Sequence, residues 1–333
     1  MLIPKPHLKR AYFALLSGLG KDAVLLRRIR RDDLLLVLNF HRVSPERNPY
    51  WSPLHPGIFE DLLVFLKRHF EVVRFGDVDS AEGRRPLAVL SFDDGYHDFV
   101  EYAMPLLHKH GLRANQNIIP ACVESGCPPW NVQLVDFLNS VPRTLINELR
   151  VPGFSDRLAG DDEDSKTKYG VALSRFLKLR PARERASLWP AVARLMERAG
   201  DWTMTRMMTL DDVRQASGSH EIGAHSYSHE SMEFESDEFF ESDLDRCFDY
   251  FSRSLRMPLL VYAFPNGSRR PEQVDTLLKR GIRYVLLVDE KFASRRCAVC
   301  PRFTIYGDSY QEAKFRSLGH YARGVTADTA SCR

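Results

Sequence analysis

Apolar residues along this chain fall into two alternating rhythms. Short β-type runs at 34–40, 87–92, 114–119, 221–224, 259–264 and 284–288 have the length of buried strands, and those at 34–40 and 87–92 are nearly unbroken apolar. Between them lie longer segments with apolar residues three and four apart. In 58–70, Phe59, Leu62, Leu63 and Leu66 share one face, and 99–110, 209–217, 237–255 and 271–280 also read as helices. Gly111 and Gly281 stop two of these helices, and Thr209 followed by Asp211 and Asp212 starts another. Repeated strand-then-helix units predict parallel strands with helical crossovers, in a closed barrel or an open doubly wound sheet. From 131 to 205 the rhythm changes to helices without strands, around the acidic run of Asp161, Asp162, Glu163 and Asp164. This stretch reads as a helical insertion within a barrel of 34–310, preceded by a basic leader helix (1–33) and followed by a C-terminal tail (311–333).

The conspicuous polar residues sit where strands end: His41, Asp93 with Asp94, His225, and Asn266 after Pro265. Barrels gather such positions around one mouth, which favours the barrel. Two adjacent carboxylates leaving a buried strand are costly unless a cation or a partner stabilises them. Successive side chains at a strand end diverge, so one acid of the Ser91-Phe92-Asp93-Asp94-Gly95 stretch faces a metal while the other faces a substrate, and Gly95 permits a tight turn. In His225-Ser226-Tyr227-Ser228-His229 the two imidazoles converge on one cation if the segment makes a helical turn. Two histidines and one carboxylate suit zinc, and also other divalent ions, and leave positions open for water and substrate.

These two motifs, in this order, resemble the polysaccharide deacetylase superfamily, the NodB-homology domain of carbohydrate esterase family 4. Its (T/S)FDDG motif corresponds to Ser91 through Gly95 and its H(S/T)xxH motif to His225 through His229, and the resemblance spans roughly 34–303. It implies a distorted (β/α)7 barrel. It also implies Asp93 as general base and Asp94, His225 and His229 as ligands of a divalent metal, zinc before Co2+, Ni2+, Mn2+ or Fe2+. The family's RxPY motif is altered here to Ala263-Phe264-Pro265-Asn266. The backbone N–H of Asn266 is then the oxyanion donor, and the base lacks its usual arginine, for which Arg302 is a candidate. Leu318-Gly319-His320 matches the letters of the late LxH motif but lies in a polar helical tail. His41, in His41-Arg42-Val43, resembles the YHRV opening of a circularly permuted branch and is the better general acid.

The implied reaction is metal-dependent hydrolysis of an N-acetyl group on an amino sugar of a polysaccharide, oligosaccharide or glycolipid precursor. A small non-sugar amide substrate, or an inactive carbohydrate-binding barrel, are the other readings. A formal charge of +3 with no basic excess gives no support to nucleic-acid binding. Arg27, Arg28, Arg30 and Arg31 follow a short apolar stretch broken by Ser17, Gly18 and Gly20. That pattern suggests an amphipathic helix, solvated or resting on an anionic membrane surface, more than a secretion signal. The expected location is cytoplasmic, at most peripheral at the inner membrane face. Cys297 and Cys300 form one CxxC with no second pair, so they read as plain thiols and not as a zinc site.

Overall fold

Residues 6–160 and 162–324 are described by a computed structural model of the chain. Asp161 of the acidic run, the first five residues of the leader and residues 325–333 of the tail lie outside them. The strands are β1 (Leu34–Phe40), β2 (Glu71–Val73), β3 (Leu87–Phe92), β4 (Asn115–Ile118), β5 (Glu221–Ala224), β6 (Val261–Ala263), β7 (Tyr284–Leu286), β8 (Ala293–Ser294), β9 (Val299–Cys300) and β10 (Phe303–Thr304). They lie in the order β10-β1-β3-β4-β5-β6-β7-β9, every neighbouring pair parallel. β9 and β10 are separated only by Pro301 and Arg302; β9 pairs with β7 while β10 pairs with β1. This broken strand closes the ring, giving the distorted (β/α) barrel.

Strand parity sorts the side chains. Leu35, Val37, Leu87, Val89, Val261, Ala263 and Leu286 fill the barrel interior with Phe75 and Val78. Leu36, Leu38, Phe40, Leu90 and Phe92 point outward into the helical layer with Phe59, Leu62 and Phe99. The Phe40 and Phe92 rings stack at 5.0 Å. At the N-terminal end of the strands, Glu221 accepts from the backbone N–H groups of Phe75 and Gly76 at 3.1 and 2.9 Å, which closes that end. The other end, where all parallel strands terminate, is polar and open.

The helices in chain order are α1 (Pro6–Gly18), α2 (Lys21–Arg31), α3 (Pro56–His69), α4 (Met104–His110), α5 (Pro120–Ser125), α6 (Trp130–Ser140), α7 (Arg143–Ile146), α8 (Glu163–Lys178), α9 (Ala182–Ala199), α10 (Leu210–Ser217), α11 (Asp237–Tyr250), α12 (Pro271–Lys279) and α13 (Tyr310–Ser317). α10 starts as its sequence dictates, with Thr209 and Asp212 forming a reciprocal capping box. α6 to α9 carry a core of their own, built on Phe137, Leu138, Leu173, Leu177, Val192 and Leu195. They bear on the barrel mouth through a buried Arg185–Glu230 ion pair and a 2.7 Å hydrogen bond from Ala182 N–H to Glu235.

Two expectations change at the chain ends. The leader is two helices and is not simply solvated: Phe13 and Ile29 are completely buried. The C-terminal segment is not a polar tail, because α13 buries Ala313, Phe315 and, just after it, Leu318. The two ends hold each other. Phe13 stacks on Phe315 at 5.7 Å, and Lys314 donates to Ser17 and Asp22, both at 2.7 Å. His320 stands in this cluster, its ring 5.9 Å from that of Phe13. Cys297 is disulfide-bonded, so the plain-thiol reading fails for it.

Candidate metal centre

Parity delivers the first acid. Ser91 faces the barrel interior, so Asp93, two residues on, faces inward at the mouth. The chain then reverses through Asp94 and Gly95, both left-handed at φ 76° and 75°. Asp tolerates this conformation better than most residues, and Gly takes it freely. The reversal turns the Asp94 side chain away from Asp93 and toward the histidines. Asp94 Oδ1 lies 3.4 Å from His225 Nε2 and 3.3 Å from His229 Nε2.

The histidine segment is not the helical turn expected from its spacing. It is an irregular loop in which Ser226 and His229 adopt left-handed φ of 54° and 61°. Two acceptors hold it. Ser226 Oγ takes the His229 N–H at 2.7 Å, and the buried Asp243 carboxylate from α11 takes the N–H groups of Tyr227 and Ser228 at 2.8 and 3.1 Å. His225 Nδ1 lies 2.9 Å from the Ala263 carbonyl. As donor to that carbonyl it leaves the Nε2 lone pair facing Asp94, the tautomer a metal ligand needs. Burial pushes His225 down to about 4, against the pull of Asp93 and Asp94, which also favours neutral imidazole.

One ligand atom from each of Asp94, His225 and His229 lies within 4.8 Å of the others, and all three residues are buried. Asp94 Oδ1 has no hydrogen-bond partner although it is inaccessible to solvent. An orphaned carboxylate oxygen facing two imidazole Nε2 atoms, one of them presenting its lone pair, is costly without a cation between them. It fits a divalent cation.

Asp93 is held differently. Arg302 sits in the gap between β9 and β10 and is completely buried; Nη1 and Nη2 donate to the two Asp93 oxygens at 2.8 and 2.7 Å. Arg302 also donates to Ser91 Oγ and the Leu287 carbonyl. Asn117 from β4 donates to Asp93 Oδ1 at 2.8 Å. Burial alone would raise the Asp93 carboxyl; Arg302, with His225 and His41 nearby, holds it well below the usual carboxylate range. Gly223 on β5 makes room for Asn117, since a Cβ there would stand 2.3 Å from Asn117 Oδ1.

His41 follows β1, one residue past Phe40, whose carbonyl accepts the Asp93 N–H at 2.9 Å. Its ring lies edge-on to Trp51 at 4.5 Å. Burial lowers its pKa, the nearby Asp94 and Asp93 oppose that, and the charges of Arg302 and His229 add to it. Asn266 has φ 57° in the turn after β6. Its side chain spans the mouth, donating to Ser231 Oγ at 3.1 Å and accepting from Lys178 Nζ at 3.0 Å. The structure thus brings Asp93, Asp94, His225, His229 and His41 together, with Asn266 at the rim and His320 remote.

Reading the sequence missed three supports. Asn117 was signalled by the amides Asn115, Gln116 and Asn117 inside an otherwise apolar run, and Asp243 by an acid on the apolar face of α11 with Phe240, Leu244 and Cys247. Lys178, from the last turn of α8, carried no signal in the sequence.

Fold and cluster together are a distorted (β/α) barrel with a two-histidine, one-carboxylate group at its mouth that could hold a divalent metal ion. The polysaccharide deacetylase family model matches residues 191–285, which include His225, His229 and Asn266 but not the Asp93–Asp94 pair. The fold is similar to that of the Streptococcus pyogenes deacetylase PplD in complex with acetate. That match has 14% identity and a TM-score of 0.55, over 86% of this chain and 98% of that one. It is also similar to IcaB from Ammonifex degensii (14% identity, TM-score 0.52, covering 86% of this chain and 97% of that one). A polysaccharide deacetylase from Bacillus cereus aligns at 13% identity and TM-score 0.53, over 86% of this chain and 69% of that one. At such identities the likeness establishes the fold. No curated protein matches the chain.

Proposed function

We propose that this protein hydrolyses an N-acetyl group from an amino sugar, in a polysaccharide, oligosaccharide or glycolipid precursor, and that it belongs to the permuted branch in which the histidine-bearing strand comes first. The observation that carries the reading is the buried Asp94–His225–His229 cluster beside a carboxylate held ionised by Arg302. Asp94, His225 and His229 would hold the metal, most suitably zinc, which when bound polarises the acyl carbonyl and acidifies water. Asp93 faces the same space and takes the proton of the attacking water. Its pairing with Arg302 keeps it ionised, and Asn117 fixes the plane of its carboxylate. The backbone N–H of Asn266 stabilises the developing oxyanion, held in place by the two side-chain bonds of that residue. His41, against Trp51, protonates the departing amine.

The test is acetate release from a panel of N-acetylated amino-sugar polymers and lipid-linked precursors. Activity on at least one of them, abolished in Asp93→Asn, is expected. Unchanged rates in that variant would remove Asp93 as base.

A peripheral position on an anionic membrane, at the inner face, is also proposed. Leu8 and Leu15 on α1 and Leu19 just after it are 64, 62 and 71% exposed and share the side away from buried Phe13. Arg27, Arg30 and Lys21 lie close by in α2 or at its start. An apolar stripe with a basic flank is the pattern of a helix lying in a bilayer interface. Among the described residues no helix is long and apolar enough to cross a membrane.

A further inference from the structure

The helical insertion does more than cover the barrel. Between α6 and α8 on one side and the turn carrying Asn266 on the other lies a cavity of about 580 Å³. It adjoins the metal centre: Trp51, in its wall, touches His41, and Lys178, also in its wall, bonds Asn266 and is close enough to feel the charge of Asp94. Much of the wall is apolar, from Trp51, Val132, Val135, Val171 and Phe234. Val171 is 52% exposed and Trp51 39% exposed, so apolar surface is left facing open space. Two cations from successive positions on the inner face of α8, Arg175 and Lys178, stand in the same wall. The opposing charge is Glu233, which is exposed at the rim.

Tyr50, Trp51, Asn131, Ser174 and Ser268 complete the wall and suit the sugar itself, but the valines and the two cations are features that a neutral sugar polymer leaves unused. Pyranose rings are bound by hydrogen-bonding side chains and stacked aromatics, whereas aliphatic walls reward methylene groups. A pair of cations beside such walls rewards an anion joined to the aliphatic part. Resting on the proposed deacetylation, we infer that this cavity is the subsite for a phosphoryl group and the first methylenes of an aliphatic chain attached to the amino sugar, so that the substrate is a sugar phospholipid. Lys178 and Arg175 take the phosphoryl oxygens, and Val135, Val171 and Phe234 take the chain. Lys178 then acts as a specificity residue: its bond to Asn266 couples occupancy of the cavity to the group placed as oxyanion donor.

The test measures binding by calorimetry and does not depend on turnover. Octyl phosphate, inorganic phosphate and octyl glucoside are titrated into the full chain, metal-loaded and chelator-treated in parallel. Octyl phosphate should bind in both states, roughly tenfold or more tighter than either comparison compound, since one charge-assisted contact or a few buried methylenes each supply at least that factor. Lys178→Met should remove most of the preference over octyl glucoside. Val171→Asp, at a half-exposed position and with its urea midpoint measured alongside, should remove the preference over inorganic phosphate. Binding seen only with metal present would place the phosphate on the metal and overturn the proposal. So would equal affinity for octyl glucoside and octyl phosphate, or wild-type affinity in both variants. Absence of acetate release with intact octyl phosphate binding would overturn the deacetylase reading and leave the subsite standing.

Discussion

Arg302 and Asp93 form the most consequential pair of residues in the molecule. Both are buried, and the guanidinium contacts both carboxylate oxygens. Removing one partner of such a pair leaves the other charge unpaired in a medium that cannot solvate it, at a cost of about 3–5 kcal/mol. Arg302→Met should therefore lower the stability measured by urea unfolding by about that amount. A double variant, Arg302→Met with Asp93→Leu, should recover much of the loss while remaining inactive. Asp94 poses the opposite case, an acid with an oxygen that nothing in the protein satisfies. Asp94→Ala or His229→Ala should abolish stoichiometric divalent metal in elemental analysis; a variant that retained it would sink the ligand assignment. His41→Ala should slow turnover and flatten one limb of the pH–rate profile, and full activity at every pH would reject it as the acid.

The elements show what could be read in advance and what could not. The strand ends at 40, 92 and 224 were legible because each run stops at a polar residue, the run at 259–264 stops at Pro265, and parallel strands put those stops at one mouth. Asp93, Asp94, His225 and His229 were legible by the same argument. The shape of the histidine loop was not: its left-handed turns at Ser226 and His229 depend on Asp243, which arrives from a helix later in the chain. Arg302 was a bare candidate for the same reason. Its partner is 209 residues away, and nothing local distinguishes an arginine in a strand gap from one in a surface loop. The supporting acid makes its own prediction. Asp243→Ala releases three hydrogen bonds to the loop. Metal affinity in a competition assay should fall by roughly 10–100-fold, the usual penalty for removing a group that orients a ligand.

At the scale of the whole molecule, metal and protons both act on stability. A chelator should lower the melting temperature of the loaded protein, because free metal at 100 times its dissociation constant contributes about 2.7 kcal/mol to folding. His220 adds a pH dependence. Its Nδ1 accepts the Ala114 N–H at 3.1 Å, and burial, with His108 stacked at 5.2 Å, pushes it down to about 4. An unfolded histidine titrates near 6.5, so between those values the unfolded chain binds more protons and stability falls as the pH drops. The urea midpoint should decline from pH 6.5 toward pH 4, and His220→Gln should weaken that slope. The exposed stripe of α1 predicts co-sedimentation with vesicles containing phosphatidylglycerol, reduced in Leu15→Glu with Leu19→Glu and by high salt. Wild-type protein that ignored such vesicles would remove the membrane reading.

The gap between β9 and β10 carries a consequence for biosynthesis. Asp94, His225 and His229 have all left the ribosome while Arg302 is still to come, and the ring of strands stays open until the last of them pairs with β1. Metal capture and competence are separated in time: a nascent chain has its chelating groups before its base has a counterion. On the proposed reaction, closure of the barrel by β10 is the step that gives Asp93 its partner, so hydrolysis is expected only of the finished chain.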